Sequence, residues 1–222
     1  ILMIPKGGGG PRKSSVPRHD PSIRFGLILR SRAFFLIVAG LILCNLFFSV
    51  QVTQFKLVLL EKGMDSTTGS LAIALYALGV LVGRFLCGIA LDHFPTHLVA
   101  AIWLGLPGIG HLLLASPFAT PTVMVVAVLL VGLSMGAEGD LFAYLAMKYF
   151  PLEVFSTIVG FFIGVTALAG ASGSLLLSFM LKVDDSYSPF LVLCGTCAFL
   201  GSGVLMMLAR VPSVPRAVES PA

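Results

Sequence analysis

Residues 122–147 read TVMVVAVLLVGLSMGAEGDLFAYLAM, twenty-six positions with two charged side chains. A helix needs roughly 20 mostly apolar residues to cross a bilayer. Working outward, five more stretches have the same character: Ala33–Leu59, Ser70–Leu91, Leu98–Ser116, Phe155–Leu181 and Pro189–Ala209. The chain of 222 residues is 57% hydrophobic and 11% charged, with a mean hydropathy of +1.02. A soluble core of this size cannot bury six helices that are apolar all round, so lipid is their solvent. A barrel strand would alternate over about ten residues, and these runs are too long and too uniformly apolar for that. The expected organisation is a flexible basic connector at 1–32, a six-helix transmembrane domain at 33–209 and a tail at 210–222.

The net charge of +4 raises nucleic acid as a partner, but the distribution argues against it. Seven basic residues crowd the leader (Lys6, Arg12, Lys13, Arg18, Arg24, Arg30 and Arg32), with only Phe25 as an aromatic neighbour. With the leader inside, Lys148, Arg210 and Arg216 join them, against Lys62 and Lys182 outside. That asymmetry predicts both termini in the cytoplasm. The leader runs into the first span without a small-residue cleavage site, so no signal peptide is expected. It starts at Ile1 rather than Met, which predicts a fragment with more protein before it. Gly7–Gly10 and Pro5, Pro11, Pro17 and Pro21 predict a floppy connector. Ile23–Arg30 reads as a short amphipathic segment in the membrane interface.

Cys44, Cys87, Cys194 and Cys197 all fall inside spans and read as small packing residues. Gly105, Pro107, Gly108 and Gly110 predict a kink in the third span. Gly79/Gly83, Gly132/Gly136 and Gly160/Gly164 place small residues four apart, the spacing at which helix backbones approach closely in lipid.

Ionisable groups within spans are functional candidates by default. Here they are Arg84, Glu138 and Asp140, with His111 a weaker fourth. At about 1.5 Å per residue, Arg84 lies about 21 Å from the outer end of its span, and Glu138 and Asp140 about 24 and 27 Å from theirs. All three sit in the inner third of a core about 30 Å thick, where opposite charges can neutralise one another. Glu138 and Asp140 point about 200° apart on a helix. Gly132, Gly136, Asp140 and Tyr144 share one face; Ser134, Glu138 and Leu141 share another. The readings are a static ion pair that fixes register, an Arg84 that attracts an anionic substrate, or a carboxylate that carries a coupling proton. Lys56 is placed to snorkel. Asn45, Gln51 and Gln54 can contact substrate or neighbouring helices.

At Gly83-Arg84-Phe-Leu-Cys-Gly88-Ile-Ala-Leu-Asp92-His-Phe the chain resembles a major facilitator superfamily transporter. The family pattern at the link between its second and third helices is G-R-x-x-x-G-x-x-x-D-R-x-G-R-R. Gly83, Arg84, Gly88 and Asp92 match; His93 stands for the Arg, and Pro95-Thr96-His97 for the glycine and basic run. Gly136-Ala-Glu-Gly-Asp140-Leu-Phe-Ala-Tyr144 and the start at Leu29-Arg-Ser-Arg-Ala-Phe34 are similar to the carboxyl half of such proteins. Within the superfamily the chain looks most like the oxalate/formate antiporter and monocarboxylate transporter group. The resemblance implies an all-α half of a twelve-helix carrier, a 3+3 inverted repeat that partners an amino-terminal six-helix half. It implies a gating link at Gly83, Gly88 and Asp92. Arg84 would contact a small organic anion, in a pathway with Asn45, Gln51, Gln54, Glu138, Asp140 and Tyr144. The expected partners are the bilayer and a small solute, with no cofactor or metal. The competing expectation is a transport-inactive structural or partner subunit. A membrane enzyme would need a clustered catalytic constellation, which the sequence does not offer, and no repeated amphipathic stripe suggests a channel.

Overall fold

The computed structural model describes Gly26, 28–118 and 120–212. Most of the basic leader, the interfacial segment and the tail lie outside the described residues. The described elements are helical: α1 (Arg32–Cys44), α2 (Phe48–Thr53), α3 (Phe55–Glu61), α4 (Ser66–His93), α5 (Thr96–Ala115), α6 (Pro121–Tyr149), α7 (Phe155–Asp184) and α8 (Ser188–Met206). Short 3-10 turns at Leu152–Val154 and Met207–Arg210 precede α7 and follow α8. The helical stretches α4, α5, α6, Leu152–Asp184 and Ser188–Arg210 are each long and apolar enough to cross a membrane. This is a multi-pass membrane protein.

The first expected span, Ala33–Leu59, is not one rod. It breaks after Cys44 and again at Gln54. The Asn45 side chain donates to the Leu41 carbonyl at 3.0 Å, the same oxygen that takes the Asn45 backbone N–H. Such local side-chain bonds compete with the helical ladder. Tertiary packing holds the break in place. A Cβ on Gly173 of α7 would overlap the Leu46 carbonyl, and one on Gly170 would sit 2.6 Å from Ser49 Oγ. The third expected span, by contrast, stays helical through Pro107. Two of its glycines face α8, Gly108 against the Gly195 carbonyl and Ala198 and Gly105 against Ser202, while Gly110 lies against the Ala127 carbonyl of α6.

Helix starts follow ordinary capping chemistry. Ser31 accepts from the Phe34 N–H, Asp65 from those of Thr67 and Thr68, and Thr120 from that of Val123. Each supplies an acceptor that the first turn otherwise lacks. The turn before α4 runs through Gly63 at φ 88°, a conformation that glycine adopts without strain.

The principal packing pairs are α4 with α6, α5 with α8, α5 with α6, α1 with α8, and α7 with α1 and α2. The α4–α6 contact is made by glycine. Gly79 and Gly132 meet backbone to backbone, a Cβ on Gly83 would overlap the Leu133 carbonyl, and one on Gly136 would overlap that of Val80. Gly160 and Gly164 behave otherwise. They lie on an exposed face of α7 with open space beside them, so their expected packing role is not met within the described residues. Gly88 is open in the same way.

Two substitutions separate these classes. Gly136→Ala forces the α4 backbone away and is expected to destabilise by about 1–3 kcal/mol, as overpacking does. Gly164→Ala meets nothing and gains helix propensity, an expected stabilisation of up to about 1 kcal/mol. Thermal unfolding in detergent micelles reads both.

A second expectation concerns acid. Hydrogen bonds from Thr68, side chain first and then backbone, hold the exposed Asp65 carboxyl below its usual range. A depressed folded value means that the cap contributes stability above the unfolded carboxylate range and loses it as pH falls through the folded value. Asp65→Asn keeps the acceptor and should flatten that acid-side loss in a pH series of melts, whereas Asp65→Ala should lower stability at neutral pH.

Candidate functional site

The interior contains two apolar clusters with a polar layer between them. One cluster gathers Phe34, Ile37, Leu41, Leu141, Leu145, Phe162 and Leu205. The other gathers Phe47, Val50, Phe55, Leu114, Val128, Val131 and Phe190. Asn45, His111 and Ser134, all buried, fall between them along their helices, and buried Glu138 sits at the edge of the first. They line a cavity of about 20 Å³, together with Gln51, Met135, Cys44 and Phe47. That is room for about one water molecule.

Glu138 is 7% exposed and His111 1%. Among the described residues, neither nitrogen of His111 has a hydrogen-bond partner, and neither does Oε1 of Glu138. The Phe47 ring covers His111 with centroids 4.2 Å apart. Asn45 stands beside the Glu138 carboxyl. Gln51 donates to Met135 Sδ at 3.2 Å, a weak acceptor, which leaves its own amide oxygen available.

Asp140 occupies the opposite face of α6, the glycine face turned to α4. Its Oδ2 lies 3.6 Å from Arg84 Nε, and the same nitrogen donates to the Gly136 carbonyl at 3.4 Å. The two side chains are 46% and 63% exposed. The sequence leaves the orientation of the two carboxylates open; the structure sorts them, with Asp140 bracing Arg84 across the α4–α6 seam and Glu138 turned into the interior.

The remaining candidates do not join either group. Gln54 accepts from the Tyr187 hydroxyl at 3.1 Å, at one end of the bundle. Tyr144 packs against the first apolar cluster. Asp92 is exposed in the last turn of α4 and forms no ion pair among the described residues. Lys56 reaches across to Ser70 Oγ on α4, at 2.9 Å. The cysteines are free thiols, and among the described residues no group of three or more His, Cys, Asp or Glu is placed to hold a metal ion.

One feature escapes sequence reasoning. The end of α3 is tied to the turn before α8: Glu61 accepts from Ser186 Oγ at 2.8 Å and from the Tyr187 N–H at 3.0 Å, and Lys62 donates to Ser188 Oγ. The partners lie some 125 residues apart in the chain, so no local pattern announces them. Partial burial, then the Glu61 carboxylate, raises the Tyr187 phenol and favours its role as donor.

The Arg84–Asp140 contact allows a charge-swap test. Arg84→Gln alone leaves Asp140 without its cation in the span and should lower the folded yield in membranes. The exchanged pair Arg84→Asp with Asp140→Arg should recover most of that yield, as read by size-exclusion of detergent extracts. No family model matches this chain, and no curated protein matches it significantly.

Proposed function

We propose that this chain is the carboxyl six-helix half of a major-facilitator-type secondary carrier that moves a small organic anion, such as a mono- or dicarboxylate, by alternating access. The observation that carries this reading is the Arg84–Asp140 pair. It stands half-exposed within two membrane-crossing helices, where contact with hydrocarbon would be costly. Such a pair needs a water-lined cavity or a protein wall beside it, and a second six-helix half would supply both. Among the described residues, only Nε of the Arg84 guanidinium has a partner. A guanidinium presents a fork that suits a carboxylate, so an incoming anion can compete with Asp140 for it.

Two further observations support the reading. Exchanging the first three span units (α1–α3, α4, α5) with the last three (α6, α7, α8) maps the principal contacts onto one another: α4–α6 onto α7 with α1 and α2, α5–α6 onto α8–α1, and α5–α8 onto itself. A 3+3 repeat has that property. The helices α4 and α7, which correspond under this exchange, bury least of the five candidate spans and present rows of exposed apolar side chains. On this reading they take the opposing half and lipid, both termini are cytoplasmic, and Gly83, Gly88 and Asp92 belong to an inner gating link.

The test is uptake of labelled mono- and dicarboxylates into vesicles that contain this chain within its whole polypeptide or together with its six-helix partner. Measured per molecule of folded, inserted protein, Arg84→Ala should lower uptake by at least tenfold. Full uptake by Arg84→Ala would overturn the substrate role. Normal folding and insertion with no uptake of any carboxylate by the unaltered protein would favour a structural subunit.

A further inference from the structure

We propose that Glu138 and His111 form a one-proton site that shares a single proton through one bound water, set on the break between α1 and α2. The inference goes beyond the carrier reading and does not need it, since it concerns what the interior of this chain must bind to be stable.

Two buried polar side chains, 7% and 1% exposed, line one cavity, and three of their polar atoms have no partner among the described residues. Buried polar atoms are almost always satisfied, by protein or by ordered water. A cavity of about 20 Å³ accepts one water. Glu138, His111, Ser134 and Gln51 line it, enough groups for the two to four bonds that a buried water makes.

Charge then fixes the proton count. An isolated buried ion is far costlier than a neutral group. Arg84, the cation nearest in sequence register, is turned to Asp140 on the other face of α6. The titratable groups around the cavity are Cys44 from α1, with Cys197 of α8 near it, Tyr76 from α4 and His111 from α5; α2 contributes only the neutral Gln51. None of them is a fixed cation. With one proton the pair is neutral overall, either as carboxylic acid with neutral imidazole or as carboxylate with imidazolium. The water carries the proton from Oε1 to a ring nitrogen, so the two forms interconvert with no net change. With no proton a lone anion remains, and with two a lone cation; each must draw in water or displace what surrounds it.

What surrounds it is the break in the first span. Cys44, Asn45, Phe47, Phe48 and Gln51 line the same cavity and are the residues at which α1 ends and α2 begins. Loss or gain of the proton therefore acts on the least regular part of the bundle.

The experiment is an infrared pH titration of the carboxyl band, with the chain reconstituted in lipid nanodiscs. A pH-dependent protonated-carboxyl band is expected that Glu138→Gln removes and Asp140→Asn retains. His111→Asn should shift its midpoint by at least tenfold in proton affinity. Where Glu138→Gln fails to fold, Glu138→Asp serves instead and should displace the band. A band untouched by either Glu138 variant, or a midpoint within twofold of the unaltered protein in His111→Asn, would overturn the proposal. Uptake is not measured, so the carrier reading can fail while this stands, and the reverse.

Discussion

Charge and polarity in an apolar interior must be compensated locally, and the whole bundle is arranged around that constraint. The helices bury two apolar clusters and hold a thin polar layer between them. Facing lipid, Glu138, His111, Asn45 and Ser134 would have had no route to water at all. Brought together, they line one small cavity with room for a water molecule. The cost of polarity in oil thus concentrates chemistry at one depth.

Glycine makes the second arrangement possible. α4 and α6 approach so closely at Gly79, Gly83, Gly132 and Gly136 that a single added carbon would strike backbone. Without apolar driving force between helices in lipid, close backbone contact is a main source of association. That contact also brings Arg84 to Asp140, because each charge lies within four residues of a seam glycine. The seam and the ion pair are one feature: packing sets the distance, and the pair fixes the register of the packing.

The broken first span joins both themes. Its interruption seats Asn45 beside Glu138, rests on Gly170 and Gly173 of α7, and puts its last piece, α3, under the Glu61–Tyr187 and Lys62–Ser188 bonds at the bundle end. A straight rod could not make all three contacts. Irregular backbone inside a membrane is tolerated where protein or a cavity covers it, and here both do.

The membrane class, five of the six expected spans and the candidate ionisable residues were legible from composition and run length alone, because about 20 apolar residues in a row have few other uses. The glycine spacing of Gly79/Gly83 and Gly132/Gly136 was legible too, since a four-residue repeat marks one helix face whatever lies opposite. What lies opposite was not. Gly160 and Gly164 have the same spacing and meet nothing among the described residues, while Ala33–Leu59 is as apolar as its neighbours and yet breaks at Asn45, where α7 packs against it. Sequence placed Glu138 and Asp140 on opposite faces by helical geometry; only the positions of α4 and α5 decided which carboxylate meets Arg84 and which enters the cavity with His111. Local periodicity is a property of one helix, whereas burial, pairing and cavity shape are properties of the contacts between helices, and those exist only once the bundle is assembled.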